Sequence, residues 1–347
     1  MKRTRGARRA VMRQISVIIV SWNAREFLRN CLKSIRDSGG PLVREVIVVD
    51  NGSADGSPDM VAEEFPEATV VRSSENLGFA RANNLGFQRA SGSWLALANS
   101  DAIVHPGCFE NLVAVLEGNQ SVGLVGPKVL WPDGHVQVTR RQFPTVWRAA
   151  LKAFCLDKAI RRPPFNSARA VQQWGHETQE HPCKPADCEC SRINQQVEVE
   201  VLAGCFWLAR REAVEQVGGL DERFFFYGED VDWCRRFWDA GWKVVFVPKA
   251  VATHFGGASS SKAALQYTIE MLRSNVAYWK KHYGLWGQAA LYSLSVFHHT
   301  IRLVAQCLKL AIGRQTRDQG ANGVRRSWVC LRWLLSGKAV PNSAKGQ

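Results

Sequence analysis

Residues 15–50 read ISVIIVSWNAREFLRNCLKSIRDSGGPLVREVIVVD, and the fold follows from them. Ile15 to Val20 is an unbroken apolar run rich in β-branched residues, as a strand buried on both faces requires. From Arg25 to Ser38 the period changes: Phe27, Leu28, Cys31, Leu32 and Ile35 fall on one helical face. Glu45 to Asp50 is a second apolar strand, so the stretch predicts a βαβ unit with parallel strands.

The alternation continues outward. Pro58 to Phe65 predicts a short helix, Thr69 to Arg72 a strand, Gly78 to Ala90 a helix, and Trp94 to Ala98 a fourth strand. The expected architecture is α/β, a mostly parallel, doubly wound sheet with ligands beyond the carboxyl ends of its strands. Three polar clusters fall at such ends: Ser21 to Asn23, Asp50 to Ser53, and Asn99 to Asp101. Farther on, Val197 to Leu208 resumes an ordered pattern. Helices are expected over Arg210 to Gln216 and Asp230 to Ala240, with a strand from Lys243 to Val247 closed by Pro248.

The chain has 347 residues and a formal net charge of +14, and 46% of it is hydrophobic, which excludes a disordered, fibrous or small disulfide-stapled protein. Residues 1–14 carry six basic residues and no acid, and residues 301–347 carry nine against Asp318. The body between them is charge-balanced, which argues against a nucleic-acid groove; basic ends suit an anionic membrane surface instead. The charged start followed by Ile15 to Val20 imitates a signal peptide, but the apolar run is too short and no cleavage site follows. The ten cysteines are expected to be reduced, several of them packed as small hydrophobes.

Residues 140–195 have weak periodicity and read as an insertion or loop over the site, taken as an insertion at about 150–195. Within it Cys183, Cys188 and Cys190 stand near His176 and His181, a spacing that matches no standard zinc pattern. From Ser261 the chain is helical and aromatic. Leu285 to Ile312 contains only Arg302 and Lys309 as charges, yet His298, His299, Gln288 and Gln306 disfavour a spanning helix, so an interfacial amphipathic helix is expected, with a core helix as the alternative.

Several constellations carry chemistry. Asp50 ends an apolar strand, where its carboxylate can accept an N–H from a uracil or thymine ring, although an Asp-rich turn reads as well. Asp101 can meet a divalent cation bound to phosphates, since Mg²⁺ takes only one or two protein carboxylates. Glu229, Asp230 and Asp232 follow Phe224 to Tyr227; partly desolvated surroundings fit Asp230 as a general base, and the acids also suit a helix N-terminus. Glu229 and Asp232 are expected to serve the acceptor or the helix cap. His254 precedes a Gly/Ser stretch whose Ser259 and Ser260 can hold phosphate, which favours a metal ligand over a structural histidine.

Ile15 to Ala24, Val48 to Ser57, Asn76 to Asn84, Leu97 to Asp101, Gly204 to Arg211, Gly218 to Trp242 and His254 to Ser261 together resemble family-2 glycosyltransferases. The similarity spans residues 15–283 and is strongest to the rhamnosyltransferase branch of cell-wall and O-antigen assembly. It implies a GT-A fold, a Rossmann-like sheet with a C-terminal helical extension, and inverting transfer from a nucleoside-diphosphate sugar. By that resemblance Ser21, Asn23 and Asp50 hold the nucleoside, and Arg81 and Asn83 lie along the donor. Asn99 replaces the first acid of the usual metal motif, so Asp101 and His254 hold Mg²⁺ or Mn²⁺, and Asp230 is the base.

The expected organisation is a basic tail over residues 1–14, a catalytic domain over 15–262, and a helical, basic region over 263–347. The expected enzyme moves L-rhamnose from dTDP-L-rhamnose onto a lipid-linked saccharide, peripherally at the cytoplasmic face of a bacterial membrane and without nucleic acid. The alternatives are a UDP-sugar donor, galactofuranose or N-acetylglucosamine, and a non-catalytic nucleotide-sugar-binding scaffold.

Overall fold

β-Branched residues form the first two strands where the sequence places them. β1 (Ile15–Ser21) and β2 (Val43–Asp50) pair in parallel, and α1 (Arg25–Gly39) crosses between them, burying Leu28, Cys31, Leu32 and Ile35. The computed structural model describes residues 14–154, 195–256, 264–312 and 317–336. After β2 come α2 (Ser57–Glu64), β3 (Thr69–Arg72), α3 (Phe79–Arg89) and β4 (Trp94–Asn99), as the alternation predicts. Short elements follow: β5 (Ala102–Val104), α4 (Cys108–Gly118), β6 (Val122–Leu130), β7 (Val136–Gln137), β8 (Arg140–Arg141) and α5 (Val146–Ala153). The chain then runs through β9 (Val197–Glu198), β10 (Val201–Leu202), β11 (Phe206–Arg210), α6 (Arg211–Val217), α7 (Glu229–Asp239) and β12 (Lys243–His254).

The main sheet has the order β3-β2-β1-β4-β11-β6-β12-β5. The β3-β2-β1-β4 half is parallel throughout, as is the β6–β12 pair, whereas β11 lies antiparallel between β4 and β6. One apolar cluster packs α1, α2 and α4 on one face, with Phe109 and Phe206 fully enclosed. A second packs α6 and α7 on the other around Trp207, Trp233 and Phe237. Cys31, Cys108, Cys205, Cys234 and Cys330 are free and buried, and Cys307 is free and exposed.

Two expectations need correction. Pro248 does not end the last strand: β12 continues to His254, and its register against β6 shifts between Val247 and Val251. Proline is accommodated in that irregularity because no ladder N–H is needed there. The extra length matters, because it brings His254 opposite Ala102, beside Asp101. Nor does irregular chain begin at residue 140: β8 pairs antiparallel with β10, and α5 follows it. The Cys/His cluster around Cys183, Cys188 and Cys190 lies outside the described residues.

The C-terminal region forms α8 (Ala264–Ala311), broken at Gly284 by a positive φ of 67°, and α9 (Arg317–Ser336). They pack on each other through Ile269, Leu272, Cys330 and Leu334. Among the described residues no helix is long and apolar enough to cross a membrane.

Candidate active site

The ends of β1 and β2 build one side of the site. Ser21 and Asp50 occupy paired positions of the parallel ladder, both nearly fully buried. Ser21 Oγ and Asp50 Oδ1 have no hydrogen-bond partner in the protein. Buried polar atoms are normally satisfied, so two orphans side by side mark a place for ligand donors. Burial pushes the Asp50 carboxyl above its ordinary value, against the hydrogen bonds of Ser53.

Asn23 supports the neighbouring loop: its Oδ1 accepts from Ala54 N at 2.8 Å, and its own N–H donates to Ser53 Oγ at 3.0 Å. Asn83 is buried and its Nδ2 donates to Phe79 O at 2.9 Å inside α3, while Arg81 is exposed on the same helix. Sequence reasoning missed Asn51, which ties this loop to the next: its Nδ2 donates to Asn76 Oδ1 at 2.9 Å, and its Oδ1 accepts from Leu77 N at 2.8 Å.

A second cluster gathers where β4 and β12 end. His254 Nε2 lies 3.2 Å from Asp101 Oδ1 and 3.1 Å from Asn99 Nδ2, and Asp101 Oδ2 accepts from Gly256 N at 3.0 Å. His254 Nδ1 stands 2.9 Å from Gln137 Oε1. An amide oxygen only accepts, so Nδ1 is the donor in that contact, which leaves Nε2 as the nitrogen that can face a cation beside Asp101. Neighbouring ligands of an octahedral cation with bonds of about 2.1 Å lie about 3.0 Å apart, so the Asp101–His254 pair has the donor chemistry and spacing for one edge of such an ion. Asn99 Oδ1 is buried without a partner beside them. Among the described residues no group of three or more His, Cys, Asp or Glu side chains is gathered for a metal, so the remaining positions would fall to diphosphate and water.

The third cluster is at the start of α7, where the acids meet free N–H groups. Asp230 is buried; its Oδ1 accepts from Val231 N at 2.8 Å and its Oδ2 is held by Arg141. Glu229 is almost wholly buried, with Oε2 unpartnered, and burial pushes its carboxyl up to about 7. Asp232, expected at the acceptor or the helix cap, stands in the first turn of α7 and is fully enclosed. It contacts Arg236, Lys281 and His282, which bind it into the fold. Ser259 and Ser260 lie outside the described residues.

The clusters are contiguous. Phe79 N, at the start of α3, donates to Phe225 O at 2.8 Å, just upstream of Asp230. Asn99 N donates to Cys205 O at 3.0 Å, and burial pushes the Cys205 thiol up to about 12, with Asp101 and Arg141 both within electrostatic reach. Arg141 and Gln137 were not foreseen; the Arg140-Arg141 pair was the one visible signal, and it was absorbed into the presumed insertion.

Comparisons agree with this geometry. Residues 16–182 match the family model described as "Glycosyl transferase family 2", and residues 194–333 match "Glycosyl transferase family group 2". The N-acetylglucosaminyl-diphospho-decaprenol L-rhamnosyltransferase of Mycobacterium tuberculosis is 30% identical over 257 residues, covering 71% of this chain and 78% of that one. The O-antigen biosynthesis protein RfbC of Myxococcus xanthus is 25% identical over 255 residues, 73% of this chain but 18% of that one.

Among solved structures, the mannosyltransferase PcManGT of Pyrobaculum calidifontis, in complex with GDP-Man and Mn²⁺, covers 94% of this chain and 88% of its own, with a TM-score of 0.50 and 16% identity. GalNAc-T7 with UDP, GalNAc and Mn²⁺ covers 78% of this chain and 51% of its own, at 0.51 and 16%. These last two are likenesses of fold. On the relative's identity and coverage, and with a GT-A architecture, the chain belongs to glycosyltransferase family 2.

Proposed function

We propose that this glycosyltransferase is an inverting, metal-dependent rhamnosyltransferase, using dTDP-L-rhamnose and a lipid-linked saccharide acceptor in bacterial cell-surface glycan synthesis. Residues 15–262 are read as the catalytic domain and 263–347 as a helical region held peripherally at the cytoplasmic membrane face. The observation that carries the metal-dependent chemistry is the 3.2 Å approach of His254 Nε2 to Asp101 Oδ1 at the mouth of the sheet. The donor and acceptor follow the similarity to the decaprenol-linked rhamnosyltransferase.

In this reading Ser21 Oγ and Asp50 Oδ1, unpartnered in the protein, meet the thymine ring. Asn23 keeps the adjoining loop in place, and Arg81 and Asn83 flank the donor on α3. Asp101 and His254 would hold Mg²⁺ or Mn²⁺, with Asn99 beside them; such an ion would supply Lewis-acid stabilisation of the departing diphosphate. Asp230 takes the proton of the acceptor hydroxyl as that oxygen forms its bond to the anomeric carbon and the bond to the diphosphate breaks. The direct displacement inverts the anomeric centre without a covalent enzyme intermediate.

The test is dTDP or UDP release from a panel of nucleotide sugars, with N-acetylglucosaminyl-diphospho-decaprenol as acceptor, with and without Mn²⁺. Release from dTDP-L-rhamnose alone, dependent on Mn²⁺ and reduced about 10²- to 10⁴-fold by Asp230→Asn, is expected. Release from a UDP-sugar would replace the donor assignment, and full activity of Asp230→Asn would remove the base.

A further inference from the structure

Gln137 and Arg141 stand four residues apart on one short stretch of chain, and each touches a different member of the centre. Backbone pairing pins that stretch along its length. Gln137 is opposite Val129 in β6, Arg141 is opposite Val201 in β10, and Thr139 O between them accepts from Ala203 N at 2.7 Å. Gln137, Thr139 and Arg141 alternate along the chain as residues on one face of an extended segment do. Thr139 is itself buried with Oγ1 unpartnered, so this face is polar throughout.

We propose that residues 137–141 form a positioning strap for both halves of the centre. Gln137 holds His254 in the tautomer whose Nε2 faces Asp101, and Arg141 fixes the carboxylate of Asp230. The proposal rests on reading Asp101 and His254 as the metal pair and Asp230 as the base.

At the metal end, the tautomer decides whether Nε2 offers a lone pair or a proton, and the acceptor on Nδ1 sets the tautomer. Gln137 is the residue that fills this place. At the base end, Val231 N fixes Asp230 Oδ1 and the Arg141 guanidinium fixes Oδ2, so the carboxylate cannot turn. A base so held presents its remaining lone pairs in one direction, the condition for proton transfer from a positioned hydroxyl. Arg141 is half-buried, and the water it loses pushes its guanidinium below the ordinary value.

The full chain tests both ends. Mn²⁺ binding without sugar nucleotide is measured by electron paramagnetic resonance for wild type, His254→Ala, Gln137→Met and Gln137→Glu. Gln137→Met is expected to weaken Mn²⁺ about 10- to 100-fold, and Gln137→Glu, which still accepts from Nδ1, to stay close to wild type. Turnover of dTDP-L-rhamnose with the decaprenol-linked acceptor is measured for wild type, Asp230→Asn, Arg141→Lys and Arg141→Gln.

Arg141→Lys keeps the charge but loses the fork; it is expected to lower kcat about tenfold, and Arg141→Gln by more, with donor KM unchanged in both. Wild-type Mn²⁺ affinity in Gln137→Met, or wild-type kcat in Arg141→Lys, overturns the strap where His254→Ala and Asp230→Asn show their losses. If those two controls are themselves silent, the catalytic assignment beneath the strap falls, and the strap with it. Retained dTDP binding identifies folded variants, and Arg141→Lys carries the decision where Arg141→Gln loses it.

Discussion

Lys281 Nζ on α8 lies 2.6 Å from Asp232 Oδ1 on α7, two residues beyond Asp230, and Lys281 also reaches Asp221 Oδ2 at 2.7 Å. His282 Nε2 adds a contact to Asp232 Oδ1 at 2.8 Å and Arg236 Nε one to Oδ2 at 2.9 Å. The C-terminal helices are thereby bound to the helix that carries the proposed base, Asp230. Asp232 is 0% exposed, and removing one partner of a buried charge cluster leaves the others uncompensated, so Asp232→Asn should cost about 3–5 kcal/mol in urea unfolding. Burial raises the Asp232 carboxyl, but His282, Arg236 and Lys281 outweigh it and hold it below the ordinary value. A depressed folded value gives stability that is present above the unfolded pKa of about 3.9 and is lost as pH falls through the folded one. The wild type should therefore lose stability below about pH 4 more steeply than Asp232→Asn.

Asp232 also shows where sequence reading stops. The acids at 229, 230 and 232 are legible as a helix start, but Lys281 and His282 lie some fifty positions away, and nothing in the local pattern says which acid they bind. The long strands and α1 were legible because each carries its own apolar pattern, a continuous run or a helical stripe. Gln137 and Arg141 sit in two-residue strands, too short for any period, whose position is set by pairing with β6 and with the distant β10. Pro248 misled for a related reason: a register shift relieves it, and register is a property of the sheet.

Glu229 gives the opposite pH signature. Its carboxyl is pushed up to about 7 by burial, so its contribution to stability is fully present below the unfolded pKa of about 4.3 and is lost as pH rises through 7. The loss is on the order of 3 kcal/mol. Thermal unfolding between pH 4.5 and 8 should show this decline in wild type and a flatter profile in Glu229→Gln; parallel profiles would place the titration elsewhere.

Gly78 joins the loop before α3 to the segment before Asp230. Its φ is +81°, and an added Cβ would stand 2.5 Å from Phe225 O. Gly78→Ala therefore meets backbone strain and a clash at the Phe79–Phe225 hydrogen bond, together about 2 kcal/mol or more. The expected result is a lower unfolding midpoint with losses in both donor KM and kcat, because the displaced loop belongs to both clusters.

Asp50→Ala should weaken dTDP binding by about 10- to 100-fold in calorimetry, the range for losing a hydrogen bond to a charged group. Asn23→Ala should have a smaller effect, since the Asn23 side-chain oxygen is spent on Ala54 N within the loop. Equal losses would mean that Asp50 acts only by shaping the turn.

The membrane reading rests on the outer face of α8. Beyond the break at Gly284, Leu285 and Trp286 are 73% and 89% exposed, and Phe297, Ile301, Val304, Leu308 and Ile312 continue at helical spacing. Such a stripe on a helix too polar to span suits the interface plane, and the exposed Arg325, Arg326 and Arg332 of α9 add attraction to anionic lipid. Replacing Leu285 and Trp286 by Ser removes apolar area without touching the catalytic clusters. Binding to phosphatidylglycerol vesicles should fall about tenfold or more, while dTDP affinity in solution stays as in wild type. Undiminished vesicle binding would assign the stripe to protein packing and leave the basic residues to carry any attraction to the membrane.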